Sequence, residues 1–311
     1  MQSEDVFKRI LVPVDGSLPS MVAQELTVFI AKIFSSQVMV LHVASPDVML
    51  PVIQKPRGGE EVEPVIMTDG QYPRALEIPR PKENAWPEEV VSEISDWYVE
   101  RGRQIIEEAV ARFKDEGISV EQKLVEQGAP ADAVITEVER GSYGLIIMGN
   151  SGEEERDQHL GSVAKKVAAT VEIPVLITRD KIQISRILVP VDGSEKSEKT
   201  LRYVDALALK TGAKVTLMYV QESALFSMRP EIASQMGSQI LAHAAGRITG
   251  VPERKLESGD PAKKIIEVAK KENYDLIAMG SKGHGLVRRF LLGSVSDHVI
   301  HYADRSVLLV K

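Results

Sequence analysis

Two tandem copies of a doubly wound, Rossmann-like α/β domain are the architecture this sequence predicts, and three observations carry the prediction. KRILVPVDGS (8–17) returns as SRILVPVDGS (185–194), identical at nine of ten positions at an offset of 177. So long an offset marks duplication of a whole domain, not of a short solenoid unit. Within each copy, short β-branched apolar runs alternate with segments of helical period, the pattern of a parallel sheet covered by helices. The length of 311 residues accommodates two domains at roughly 150 residues apiece.

The elements are clearest in the second copy. RILVPV (186–191) and VTLMYV (215–220) read as buried parallel strands bounded by turn residues. Ser194 is placed to cap a helix that carries Leu201, Val204 and Ala208 on one face. A weaker strand lies near 254–257. Asp260 followed by Pro261 opens a helix whose apolar stripe is Ala262, Ile265, Ile266 and Ala269. YDLIAMG (274–280) and RSVLLV (305–310) supply the last two strands. In the first copy VMVLHV (38–43) matches VTLMYV at the offset of 177, and GAPADAVITEVERGSYGLIIMG (128–149) matches GDPAKKIIEVAKKENYDLIAMG (259–280) at 131. LGSV (160–163) matches LGSV (292–295) at 132. In a sheet of this kind ligands bind outside the carboxyl ends of the strands, at the switch point of the strand order.

The offsets also locate what differs. The fall from 177 to 131 places 46 extra residues in the first copy between Val43 and Gly128. Eight of the sixteen prolines lie from Pro46 to Pro87, a density that excludes regular helix or central strand. This insertion, about 45–90, is expected to be irregular and to lie over the carboxyl ends of the first copy's strands as a lid or plug. Trp86 and Trp97 are expected to anchor it, with stacking on a base as the minor alternative. The expected division is 1–180 and 181–311. The linker near 179–184 is short enough that the copies should pack on each other.

Composition removes several function classes. No Cys is present, which excludes disulfides, zinc–thiolate sites, iron–sulfur clusters and Cys nucleophiles. A net charge of −7 argues against a nucleic-acid partner. The start, MQSEDVFKRI, lacks the apolar core of a signal peptide. No run of about 18 apolar residues suggests a membrane span. A cytoplasmic location is the expectation.

The chemistry concentrates in MGSKGHGLVRRFLLGSV (279–295). Gly280 and Gly283 are two residues apart, and nine residues separate Gly283 from Gly293 and Ser294. The stretch leaves a strand and enters a helix, so Gly293, Ser294 and Val295 should offer free N–H groups and the positive end of the helix dipole to an anion. Lys282, Arg288 and Arg289, with no acid beside them, give the loop a charge of +3. A phosphate site and an ordinary Gly-rich βα turn are both consistent with this spacing. No G-x-x-x-x-G-K-[ST] occurs, so the loop is not a P-loop. Pro190, Val191 and Asp192 close the copy's first strand. Asp192 can accept from ribose hydroxyls or a base amine, or reach a metal; equally, it can satisfy its own turn. Val220 can meet a base through its backbone or serve simply as core. His284, His298 and His301 show no spacing that marks a metal site beyond a weak i,i+3 pair at His298 and His301.

With these residues in view, the chain resembles tandem universal stress proteins. ILVPVDGS in both copies, GDP (259–261), YDLIAMGSKGHG and LLGSVSDHVI carry the resemblance, which covers nearly everything outside the Pro-rich insertion. The G-x2-G-x9-G-[S/T] pattern of Gly280, Gly283, Gly293 and Ser294 is similar to the family's ATP-binding signature. The resemblance implies five-stranded sheets of order 3-2-1-4-5, paired through the last strands PVLI (174–177) and SVLLV (306–310) as an intrachain pseudo-dimer. It also implies adenosine near Pro190, Val191, Asp192 and Val220. Ribose and phosphates would lie at Met279, Gly280, Gly283, Gly293, Ser294 and Val295, with Mg²⁺ or Mn²⁺ on the phosphates.

The first copy departs from that pattern. Only eight residues, EEERDQHL, separate Gly152 from Gly161 and Ser162, and their net charge is −3. A loop one residue short shifts donors by up to about 3.5 Å, beyond hydrogen-bond reach. One nucleotide per chain, in the second copy, is therefore expected. A regulatory or sensor protein binding ATP, ADP or AMP is the leading reading. A slow ATPase or phosphotransferase and a ligand-free interaction module are the alternatives, and a homodimer or a further protein partner is compatible with any of them.

Overall fold

The structure is a computed structural model that describes residues 7–44, 88–126, 128–150, 160–179, 181–222, 229–281 and 292–311. In chain order the first copy runs β1 (Arg9–Pro13), α1 (Leu18–Phe34), β2 (Gln37–Val43), α2 (Glu88–Asp115), β3 (Val120–Val125), α3 (Pro130–Arg140), β4 (Leu145–Gly149), α4 (Ser162–Thr170) and β5 (Val175–Thr178). The second runs β6 (Arg186–Pro190), α5 (Glu195–Thr211), β7 (Lys214–Gln221), α6 (Pro230–Ala245), β8 (Glu253–Ser258), α7 (Pro261–Lys271), β9 (Leu276–Gly280), α8 (Ser294–Tyr302) and β10 (Ser306–Val310).

All ten strands form one sheet, in the order β3-β2-β1-β4-β5-β10-β9-β6-β7-β8. Each half has the expected order 3-2-1-4-5. Neighbours are parallel within a half, and the halves meet through an antiparallel β5–β10 pair with Leu308 opposite Leu176 and Leu309 opposite Val175. An apolar, β-branched last strand in each half would otherwise be left as an open edge. The outermost strands, β3 and β8, are instead studded with charge, reading VEQKLV and ERKLES.

Strand residues alternate between two cores. One packs α1, α2, α5 and α6 on one face through residues such as Ile30, Ile106, Val204 and Leu241. The other packs α3, α4, α7 and α8 on the opposite face through Val134, Val167, Ile265 and Val299. Both cores run across the joint. Phe7 of the first copy lies edge-on to Tyr203 of the second, ring centroids 5.9 Å apart. The expected caps form: Ser194 Oγ accepts from Ser197 N–H at 3.2 Å, and Asp260 Oδ1 from Lys263 N–H at 2.9 Å. The stripe on α7 is rotated slightly from the expected one, with Val268 in place of Ile266 among the fully buried residues. The linker is tied down where Lys181 Nζ donates to Asp275 Oδ1 at 2.6 Å and Asp275 Oδ2 accepts from Ser185 and Arg186 N–H. Burial alone would raise the Asp275 pKa, but these donors outweigh it and hold it below the usual range. The Pro-rich insertion, with Trp86 and the lid expectation attached to it, lies outside the described residues. No helix among the described residues is long and apolar enough to cross a membrane.

Candidate functional site

The site is built where β6 and β9 lie side by side and their chains leave toward opposite faces of the sheet. Pro190 ends β6, and Val191, buried, continues it by donating its N–H to Met218 O of β7 at 2.9 Å. The chain then turns through Asp192 and Gly193. Gly193 adopts φ +79°, a left-handed conformation that L side chains rarely take. Asp192 Oδ1 accepts from Ser194 N–H at 2.9 Å, so one carboxylate oxygen does satisfy its own turn. Among the described residues no donor reaches the other. Val220 is half-buried near the end of β7 and packs against the second core. Beside it Tyr219 has its phenol pKa raised, first by burial and then by the Glu222 and Asp192 carboxylates.

From the other side, Met279 and Gly280 end β9, Met279 buried in the second core. A Cβ on Gly280 would stand 2.9 Å from Lys196 Cβ and 3.2 Å from Ser197 N. The first turn of α5 rests on the bare backbone of this glycine, and that contact unites the Asp192 turn with the end of β9.

The ends of the glycine loop are pinned together. Ser281 N–H donates to Val310 O at 2.7 Å, and Ser281 O accepts both Gly293 N–H at 2.8 Å and Ser296 Oγ–H at 2.8 Å. Ser296 Oγ also lies 2.9 Å from Gly293 O. This corrects one expectation: the Gly293 N–H is not a free donor, because it closes the base of the loop. Gly293 caps α8 without a side-chain hydrogen bond. Among the described residues no acceptor reaches the amides of Ser294, Val295 or Ser296, and Ser294 is exposed. Lys282, Gly283, Arg288 and Arg289 lie outside the described residues, as do His284 and the acidic loop of the first copy.

A cavity of about 280 Å³ opens beside this constellation, between α5 and α6. Val191, Gly193 and Ser197 form one wall, and Gln239, Ile240 and His243 another. Among the described residues of the first copy, a side chain stands against the corresponding turn. Ile105 of α2 is buried, and its Cδ1 lies 3.1 Å from where a Cβ on Gly16 would stand. His42 is buried close beneath Gly102 of the same helix, as its counterpart Tyr219 lies beneath Gly237 of α6. Two further differences are visible among the described residues. Lys196, whose first turn rests on Gly280, has Pro19 as its counterpart, and Ser296 has Ala164.

Sequence reasoning missed Ser281, Ser296 and Lys196. The mismatches Ser281/Asn150, Ser296/Ala164 and Lys196/Pro19 at otherwise matching positions are a readable signal. Among the described residues no group of three or more His, Asp or Glu could hold a metal ion, and His298 and His301 form no such site.

The model of the universal stress protein family matches residues 7–65, 78–179 and 183–311. A universal stress protein from Methanothermobacter thermautotrophicus is 35% identical over 141 residues, covering 40% of this chain and 94% of that protein. The crystal structure of a universal stress protein from Archaeoglobus fulgidus DSM 4304 matches 100% of this chain and 99% of its own at 22% identity, with a TM-score of 0.66, and so shares its fold. A universal stress protein crystallised in complex with cAMP matches 42% of this chain and 98% of its own at 22% identity, with a TM-score of 0.31.

Proposed function

This chain belongs to the universal stress protein family, and from that premise we propose that its second copy binds one adenine nucleotide, ATP foremost with ADP or AMP as alternatives, in a stress-response regulatory or sensor role rather than that of a fast enzyme. The observation that best supports this is the difference between the copies. The second has an open cavity beside Val191 and Gly193, whereas the helix starts at Ser294 and Ser162 are uncapped alike. The first has Ile105 packed onto the matching turn.

In this reading the adenosine lies near Pro190, Val191, Asp192 and Val220, and the second oxygen of Asp192 accepts from ribose. The phosphates face the amides of Ser294 and Val295, where the helix dipole favours negative charge. Lys282, Arg288 and Arg289 add charge, Gly280, Gly283 and Gly293 let the backbone come close, and Met279 holds the end of β9 in the second core beside them. Mg²⁺ or Mn²⁺ would enter on the phosphates, since the described residues offer no carboxylate cluster for it.

Calorimetric titration with ATP, ADP, AMP and cAMP, with and without Mg²⁺, tests the proposal. One site per chain is expected. Gly293→Asp should remove it and Asp192→Ala weaken it, whereas Gly161→Asp should change little. Two equivalent sites, or loss of binding only with the first-copy variant, would overturn the assignment. Turnover abolished by Asp192→Ala would favour a slow ATPase.

A further inference from the structure

We propose that Arg179, a residue of the first copy, is a positioning residue for the phosphate end of the second-copy site and acts through α8. The proposal rests on the nucleotide reading above. Its observation is a pair of reciprocal clamps across the joint. Arg179 Nη2 donates to Ile300 O, in the last turn of α8, at 3.2 Å. Lys311 Nζ donates to Ala168 O, in the last turn of α4. The offset of 132 that relates the two LGSV segments also carries Arg179 onto Lys311 and Ala168 onto Ile300. Each copy therefore sends a cation from the end of its last strand into the other copy's last helix, at the same carbonyl. Both cations are buried, Arg179 at 8% exposure and Lys311 at 7%.

The chemistry of such a clamp is specific. The last carbonyls of a helix have no intrahelical donor, and a cation there also meets the negative end of the dipole. Arg179 is itself held, its N–H donating to Ser306 Oγ at 3.0 Å, so the guanidinium reaches α8 from a fixed backbone. Ile300 lies six positions after Ser294, about 9 Å of helix. Over that span α8 moves as a rod, and displacement at Ile300 displaces the amides at Ser294 and Val295. Polar groups that recognise a ligand tolerate only about 0.5 Å of such error. Lys311 performs the same service for α4, whose preceding loop is one residue short and acidic. The clamps are alike in chemistry, but in the reading above only one has a phosphate site at the far end of its helix.

The test uses the full chain titrated with Mg·ATP, as wild type, Arg179→Met, Arg179→Lys and Lys311→Met. Methionine keeps the apolar stem and removes the donor. Arg179→Met should weaken ATP binding about threefold to tenfold, the range of coupling that distant positions carry. Arg179→Lys should restore it, because Lys311 shows that lysine makes this bond. Lys311→Met should bind ATP as the wild type does while losing thermal stability to a degree similar to Arg179→Met. Unchanged affinity in Arg179→Met, or equal weakening in Lys311→Met, would overturn the proposal. Should Arg179→Met fail to fold, hydrogen exchange on the wild type decides: saturating Mg·ATP should slow exchange at 175–179 of the first copy, and no change there also overturns it. A wild-type chain that takes up no nucleotide overturns the nucleotide reading and this one together, whereas binding that ignores Arg179 overturns this one alone.

Discussion

At the scale of single residues, His42 is a buried titratable group whose protonation the fold opposes. Its Nδ1 lies 2.7 Å from Val14 O. A carbonyl only accepts, so Nδ1 carries the proton and donates. Burial lowers the His42 pKa from its ordinary 6.5; the Val14 carbonyl and Asp15 pull it upward, Arg101 pulls it down, and the net shift is downward. The folded state therefore binds this proton less readily than the unfolded chain. The stability that neutral His42 contributes is present above about pH 6.5 and is lost as pH falls through the lower folded value. Thermal unfolding measured from pH 7 to pH 5 should show that loss. His42→Asn, which retains a donor for Val14 O, should flatten the dependence, and an unchanged slope would contradict the assignment. Nothing in the sequence singled out His42, because its place in VMVLHV looks like that of any strand residue.

At the scale of elements, the glycines of the signature acquire a second reason to be glycine. Gly280 is legible from sequence as part of a phosphate cradle, but the structure adds that the α5 backbone stands on it, with Lys196 C 3.1 Å from where a Cβ would be. Gly149 occupies the same position under α1, where Pro19 C would be 2.8 Å from a Cβ. Alanine at either position must push a helix off its strand, an overpacking that costs about 1–3 kcal/mol. Urea denaturation should show Gly280→Ala and Gly149→Ala destabilised alike, whereas only Gly280→Ala should also impair ATP uptake. Full stability in Gly280→Ala would show that the contact is not tight. Spacing between motifs cannot reveal such a contact, because α5 and β9 are far apart in sequence and meet only through the crossover.

At the scale of the molecule, one ten-stranded sheet and two cores run across the joint, so the halves are expected to unfold together. Leu308 and Leu176 face each other in the β5–β10 pair and are almost fully buried. Leu308→Ala should cost about 2–5 kcal/mol. Both tryptophans, Trp86 and Trp97, belong to the first half, so their fluorescence reports on that half alone. A second-half substitution at Leu308 should nevertheless lower the midpoint of the fluorescence transition, in step with circular dichroism. A fluorescence midpoint that stays put while circular dichroism shifts would mean that the halves unfold separately.

Repetition, period and turn chemistry in the sequence by themselves determined the two copies, their strands and helices, the caps at Ser194 and Asp260, and the turn at Asp192. All of these depend on residues close to one another in the chain. The resemblance to the family implied which strands pair across the joint, and their apolar composition agrees with it. The short, acidic loop of the first copy is also legible in the sequence; tertiary structure alone decided which side chains stand beside the two Asp-Gly turns. Whether Ile105 fills a groove or Ile240 merely lines one depends on where a helix settles against a strand end. That the Gly293 amide is spent on Ser281, and that Arg179 reaches Ile300, depends on which residues a long crossover or a pseudo-twofold brings within about 3 Å. Hydrogen bonds and steric contacts vanish with an ångström of displacement, and no local pattern in the chain encodes distances between residues so far apart.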